Sequence, residues 1–99
     1  MQKHIPAKTR REAIQVGEHF SDWRKLTGLK LSEVAERAGV SINTVRDLES
    51  GKGSTSLSNV LQVARVLSVD YLLAEALDPY NTELGRARSA EKLPQRVRS

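Results

Sequence analysis

Between Thr9 and Leu77 apolar side chains recur every third or fourth residue and seldom alternate. That spacing gathers them on one side of a helix and argues against strands. Val16, Phe20, Trp23 and Leu26 form the first stripe. They predict a buried face on a helix from about Thr9, a suitable N-cap, to Thr27, with Gly28 as the stop. Gly17 weakens the middle of that helix by about 1 kcal/mol relative to alanine. The helix therefore either spans the whole stretch or begins near Gly17. Val34, Ala35 and Ala38 predict a short second helix, Leu31 to Ala38, ended by Gly39. Val45 and Leu48 predict a third, Ile42 to Ser50, capped by Ser41 and closed by Gly51. Leu57, Val60, Leu61, Ala64 and Leu67 face inward from a fourth, Leu57 to Leu67, capped by Ser56. Asp70 suits the positive end of a fifth, Asp70 to Leu77, which Asp78-Pro79 stops. The expected fold is all-α, with five helices.

At 99 residues the chain suits one small domain, residues 9–77, between a basic N-terminal arm (1–8) and a basic tail (78–99). The tail is polar and short of apolar side chains, so it is expected to lack fixed structure unless a partner orders it. Cysteine is absent, which excludes disulfides and thiolate chemistry. No apolar run has the length of a membrane span, and the first residues lack the apolar stretch of a signal peptide, so a cytoplasmic protein is expected.

Net charge is +4, but it is unevenly spread. Residues 1–11 hold four cations and no acid; residues 81–99 hold five cations and two acids; residues 12–80 hold seven cations and ten acids. An anionic partner is implied, met by the ends of the chain and by a few cations placed locally in the middle.

Enzyme chemistry finds no support. His4 and His19 are too far apart to suggest a metal site, and no cysteine assists them. Gly51-Lys52-Gly53-Ser54 lacks the spacing and the preceding strand of a phosphate loop. No cofactor is expected.

The informative feature is a pair of short helices separated by Gly39-Val40-Ser41. Glycine permits the reversal, Val40 can plug the turn, and Ser41 can accept from the free N–H groups that start the next helix. That helix has a polar outer face and a size that fits the major groove of B-DNA. The residues Leu31-Ser-Glu-Val-Ala-Glu-Arg-Ala-Gly-Val-Ser-Ile-Asn-Thr-Val-Arg-Asp-Leu-Glu-Ser-Gly-Lys52, with Leu57 and Ala64 beyond, resemble the helix-turn-helix of the Cro/repressor (XRE) family.

The resemblance implies a lambda-repressor-like fold and a set of site residues. Ile42, Asn43, Thr44, Arg46 and Asp47 take base-contacting positions, with Ile42 suited to a thymine methyl, Asn43 to adenine and Arg46 to guanine. Lys30, Ser41, Ser50 and Lys52 take phosphate-contacting positions. Arg24 and Glu49 match a structural ion pair. Lys30 departs from the pattern, because the family usually caps the second helix there with Thr or Ser, and lysine cannot cap in that way. Tyr71, Leu72, Leu73, Leu77 and Tyr80 give the fifth helix and its exit more apolar surface than one small core needs, and are expected to form a homodimer contact. The implied partner is a palindromic double-stranded DNA operator, and the implied role a dimeric repressor. The alternative is an antitoxin, similar to the HipB type, that also binds a toxin and represses its own operator.

Overall fold

The computed structural model describes residues 4–52 and 54–92. Among them the chain forms six α-helices and no strand: α1 (Ala7–Leu26), α2 (Leu31–Ala38), α3 (Ile42–Ser50), α4 (Leu57–Val66), α5 (Asp70–Ala76) and α6 (Glu83–Lys92). A single 3-10 turn, Pro79–Asn81, joins α5 to α6. None of these helices is long and apolar enough to cross a membrane. Of the cations expected in the arms, Lys3, Arg96 and Arg98 lie outside the described residues.

The core is small and built mostly from Val, Ala and Leu. Phe20 of α1, Val34, Ala35 and Ala38 of α2, Val45 and Leu48 of α3, and Val63, Ala64 and Leu67 at α4 are buried together with Val69. Leu29, Leu31, Val40, Val60, Val66 and Leu73 pack around them. Helix α3 lies between α1 and α2, and α2 also packs on α4.

The face of α1 differs from the expected one. Phe20 is buried, but Val16 and Trp23 are exposed and Leu26 is 76% exposed. The inward stripe is instead Ala13, Gly17, Phe20, Ser21 and Arg24. The reason is the closeness of α1 to α3. A Cβ on Gly17 would lie 2.5 Å from the carbonyl oxygens of both Leu48 and Glu49. Only small residues allow that approach, so the bulky side chains of α1 turn elsewhere. Gly17 is an interior residue of one continuous helix that starts at Ala7, after Pro6.

Helix α4 is also rotated from expectation. Leu57 is 72% exposed and Leu61 is exposed, while Val63 is buried. The inward stripe is Val60, Val63, Ala64 and Leu67.

A sixth helix stands where the tail was expected. Thr82 accepts from the N–H of Gly85 at 2.9 Å and donates to the carbonyl of Pro79 at 3.1 Å. Arg86 Nη1 donates to the carbonyl of Tyr80 at 2.7 Å, and Asn81 donates to the carbonyl of Glu75. Gly85 sits so close to the backbone of Pro79 that a Cβ there would lie 2.6 Å from its carbonyl carbon. Ser89 is buried and donates to the carbonyl of Gly85. Helix α6 is thus held by a local hook of polar contacts, not by an apolar stripe.

Candidate nucleic-acid interface

The turn between α2 and α3 is built by three residues. Gly39 closes α2 at φ +73°, a left-handed conformation that glycine adopts without steric cost. The N–H groups of Gly39 and Val40 return to the carbonyls of Glu36 and Ala35, the paired bonds that cap a helix C-terminus. Val40 then packs on the core. Ser41 caps α3, its Oγ accepting from the N–H of Thr44 at 3.0 Å. The end of α3 repeats the device. Gly51 lies at φ +77°, and the N–H groups of Gly51 and Lys52 return to Leu48 and Asp47.

Helix α2 starts without the usual hydroxyl cap. Glu33 Oε1 accepts from the N–H of Lys30 at 2.8 Å, so one of the free donors at the helix start is satisfied from inside the helix. The signal for this was present as Lys30-x-x-Glu33, the spacing at which an acid reaches back to the cap. The Lys30 ammonium is exposed and has no ion pair among the described residues.

Val45 and Leu48 hold the back of α3 in the core. Its front is open. Ile42, Asn43 and Arg46 are exposed on one side, with Ser50 below them and half-buried Asp47 beside them. Among the described residues, the side chains of Asn43 and Arg46 make no hydrogen bond or ion pair. Thr44 lies off this face. It is half-buried, and its Oγ1 meets Ser41 Oγ at 2.9 Å. A hydroxyl has one donor and two acceptor sites, so Ser41 can accept from Thr44 twice and still donate to an anion. Ser50 has less freedom, because its hydroxyl already donates to the carbonyl of Asp47 at 3.2 Å. Lys52, exposed just past Gly51, carries no ion pair among the described residues.

The structure brings Arg24 and Glu49 together. Nε donates to Oε2 at 2.7 Å and Nη2 to Oε1 at 3.1 Å, a two-point contact, while Nη1 donates to the carbonyl of Leu29 at 3.1 Å. One guanidinium therefore ties α1, the end of α3 and the segment before α2. The side chains are only 15% and 13% exposed, so the pair is well shielded from water. The hydrogen bond to Glu49 raises the Arg24 pKa above the ordinary arginine value, against a smaller opposing effect of burial. The guanidinium is charged at neutral pH.

The expected dimer residues fall in different surroundings. Tyr71, Leu72 and Leu77 are exposed, Leu77 at 85%, while Leu73 is half-buried against the core and Tyr80 lies in the turn before α6. Leu72 and Leu73 help line an open, almost wholly apolar groove of about 170 Å³ between α1 and α5, opposite Val16, Phe20 and Trp23. Sequence reasoning had placed Val16 and Trp23 in the interior instead.

A pair of short helices with a left-handed glycine turn, the second fixed from behind and open in front, defines a helix-turn-helix protein. Residues 21–73 match the helix-turn-helix family of Cro/C1 type, and the chain belongs to that family, also called XRE. It is a DNA-binding family, typically non-enzymatic. Comparisons with curated proteins and with solved structures give no match.

Proposed function

We propose that this chain is a sequence-specific transcription regulator that lays α3 in the major groove of its operator as a homodimer. The observation that supports this best is the division of α3 into two faces. Val45, Leu48 and the Arg24–Glu49 pair clamp its back, while Asn43 and Arg46 project free polar groups from its front. Asparagine and arginine are the side chains suited to bidentate contacts with adenine and guanine. Ile42 offers an apolar surface to a thymine methyl, and Asp47 can accept from cytosine. Lys30 and Lys52 stand at the two flanks as phosphate contacts, with Ser41 as a weaker third.

One short helix reads few base pairs, so two copies are needed for a selective site. Symmetric half-sites would lie about 34 Å apart. Tyr71, Leu72, Leu73, Leu77 and Tyr80 are the proposed contact between the copies, and repression is the simplest outcome of occupying an operator. A second reading, an antitoxin that binds its toxin through the C-terminal part, is favoured by α6. That helix lies outside the matched residues, and none of its described side chains joins the buried apolar core.

Selection of bound sites from random double-stranded DNA tests the main reading. Enrichment of a two-fold symmetric sequence is expected. On it, Asn43→Ala or Arg46→Ala costs about 1–3 kcal/mol, with little loss on random DNA. No enrichment, or equal losses on both DNAs, would refute base reading by α3. Sedimentation of a monomer at micromolar concentration would refute the dimer, and co-purification of a second protein on α6 would favour the antitoxin.

A further inference from the structure

Helices α1 and α3 touch through backbone at two places. Gly17 meets the carbonyls of Leu48 and Glu49, and a Cβ on Gly51 would lie 2.5 Å from Ile14 Cα and 2.8 Å from the carbonyl carbon of Ala13. Contacts of this kind fix register as well as spacing, because sliding either helix drives Cα and Cβ atoms into backbone. Helix α3 ends at Ser50, but α1 continues N-terminally past Ala13 to Ala7. At about 1.5 Å per residue, those six residues carry α1 about 9 Å beyond the contact with Gly51.

Arg10 lies in this overhang. It precedes Gly17 by seven residues, about two turns, so it shares the side of α1 that faces the end of α3. Towards the core, the same part of α1 borders a shallow groove through Thr9, Ala13 and Val16, with Thr55 and Val60 opposite. Arg10 does not line that groove. Its side chain is exposed and has no ion pair or hydrogen bond among the described residues. By this register Arg10 lies on the side of α1 towards Gly51, which Lys52 follows in the chain.

We infer that Arg10 is a further contact to the DNA backbone, gripping phosphate where the end of α3 leaves the groove. The inference rests on the DNA-binding reading above. It lies outside residues 21–73, where the family match falls. The chemistry follows from the side chain: a free guanidinium offers a planar fork of N–H donors that matches phosphate oxygens. The geometry follows from the two glycine contacts, which hold the base of Arg10 rigidly relative to α3. Arg10 and Lys52 would reach the same stretch of phosphates from two elements, and the contact would carry no sequence information.

The test measures salt dependence with the full chain, on the selected duplex and on a mixed-sequence duplex. Each lost phosphate contact lowers the slope of log affinity against log salt by about 0.9. Arg10→Ala is expected to flatten both slopes by that amount, and Arg10→Lys to restore most of it, since the charge is kept. Arg65→Ala, which removes another exposed guanidinium, from the last turn of α4, is expected to leave both slopes unchanged. An Arg10→Ala slope equal to that of the unaltered chain overturns the inference. So does an equal flattening by Arg65→Ala, which would reduce the effect to net charge. If the unaltered chain binds neither duplex at any salt concentration, the DNA-binding reading falls first and takes this contact with it.

Discussion

Replacing Gly17 with alanine sets two opposed effects against each other at a single atom. In an isolated helix the change is favourable, by about 1 kcal/mol, because alanine loses less backbone freedom and covers more of the helix. Here the new Cβ would lie 2.5 Å from two carbonyl oxygens and 2.8 Å from the carbonyl carbon of Glu49. All three atoms are backbone, so no side chain can swing aside. To reach an ordinary separation of about 3.4 Å, α1 must back away from α3 by nearly 1 Å, and a gap of that size forfeits a quarter to a half of the dispersion energy of the surrounding contacts. Overpacking of this kind costs about 1–3 kcal/mol, and rigid neighbours place it at the upper end. The net expectation is a loss of about 2 kcal/mol. For a domain of this size that lowers Tm by roughly 8–16 °C. Urea titration followed by circular dichroism should show an earlier midpoint with an unchanged slope. An unchanged or higher Tm would mean that helix propensity wins and that the two backbones are not in contact at Gly17.

The Arg24–Glu49 pair is expected to couple. Glu49→Ala leaves a shielded guanidinium without its carboxylate and should cost about 2–3 kcal/mol, whereas adding Arg24→Ala should cost much less than the sum of the two single changes. Strict additivity in the four-variant cycle would show that the contact contributes nothing of its own. Gly85→Ala is expected to unseat α6 from the turn at Pro79 and leave the remaining helices intact. Amide exchange would quicken across residues 83–92 while the main unfolding midpoint stays put; unaltered protection there, or a midpoint that falls in step, would contradict the local hook.

Some elements were legible in the sequence for a clear reason. Helices α2 and α3 lie between residues with strong local preferences, Gly39, Ser41 and Gly51, and their short apolar stripes point the way periodicity says. The long helix α1 was harder. Its most hydrophobic residues suggested a buried face through Val16, Trp23 and Leu26, but its actual inner face is chosen by how near α3 comes. Periodicity reports where bulk can be buried and is silent on where two backbones touch. Leu57 misleads in the same way, since its turn of α4 lies at the edge of the core. Helix α6 escaped notice because nothing in its composition makes a stripe. It depends on Thr82 as a cap and on the fit of Gly85 to Pro79, contacts that exist only once the chain has folded back. At the site, helical spacing alone puts Asn43 and Arg46 on the outer face of α3, and a base-contacting role for them is what the family resemblance implies. The diversion of Thr44 to Ser41 and of the Ser50 hydroxyl to Asp47 could not, because each depends on a rotamer.

The clamp on the back of α3 has a consequence for time as well as for position. With Gly17, Gly51 and the Arg24–Glu49 pair holding it, α3 would, on the proposed reading, need no separate motion before it meets a groove. Encounter should then proceed as a single second-order step without a slow rearrangement behind it. Its rate would be governed by the field of Lys30, Arg46 and Lys52 and would fall with added salt. Right and wrong sequences would be caught at similar speeds and told apart by how long they are kept.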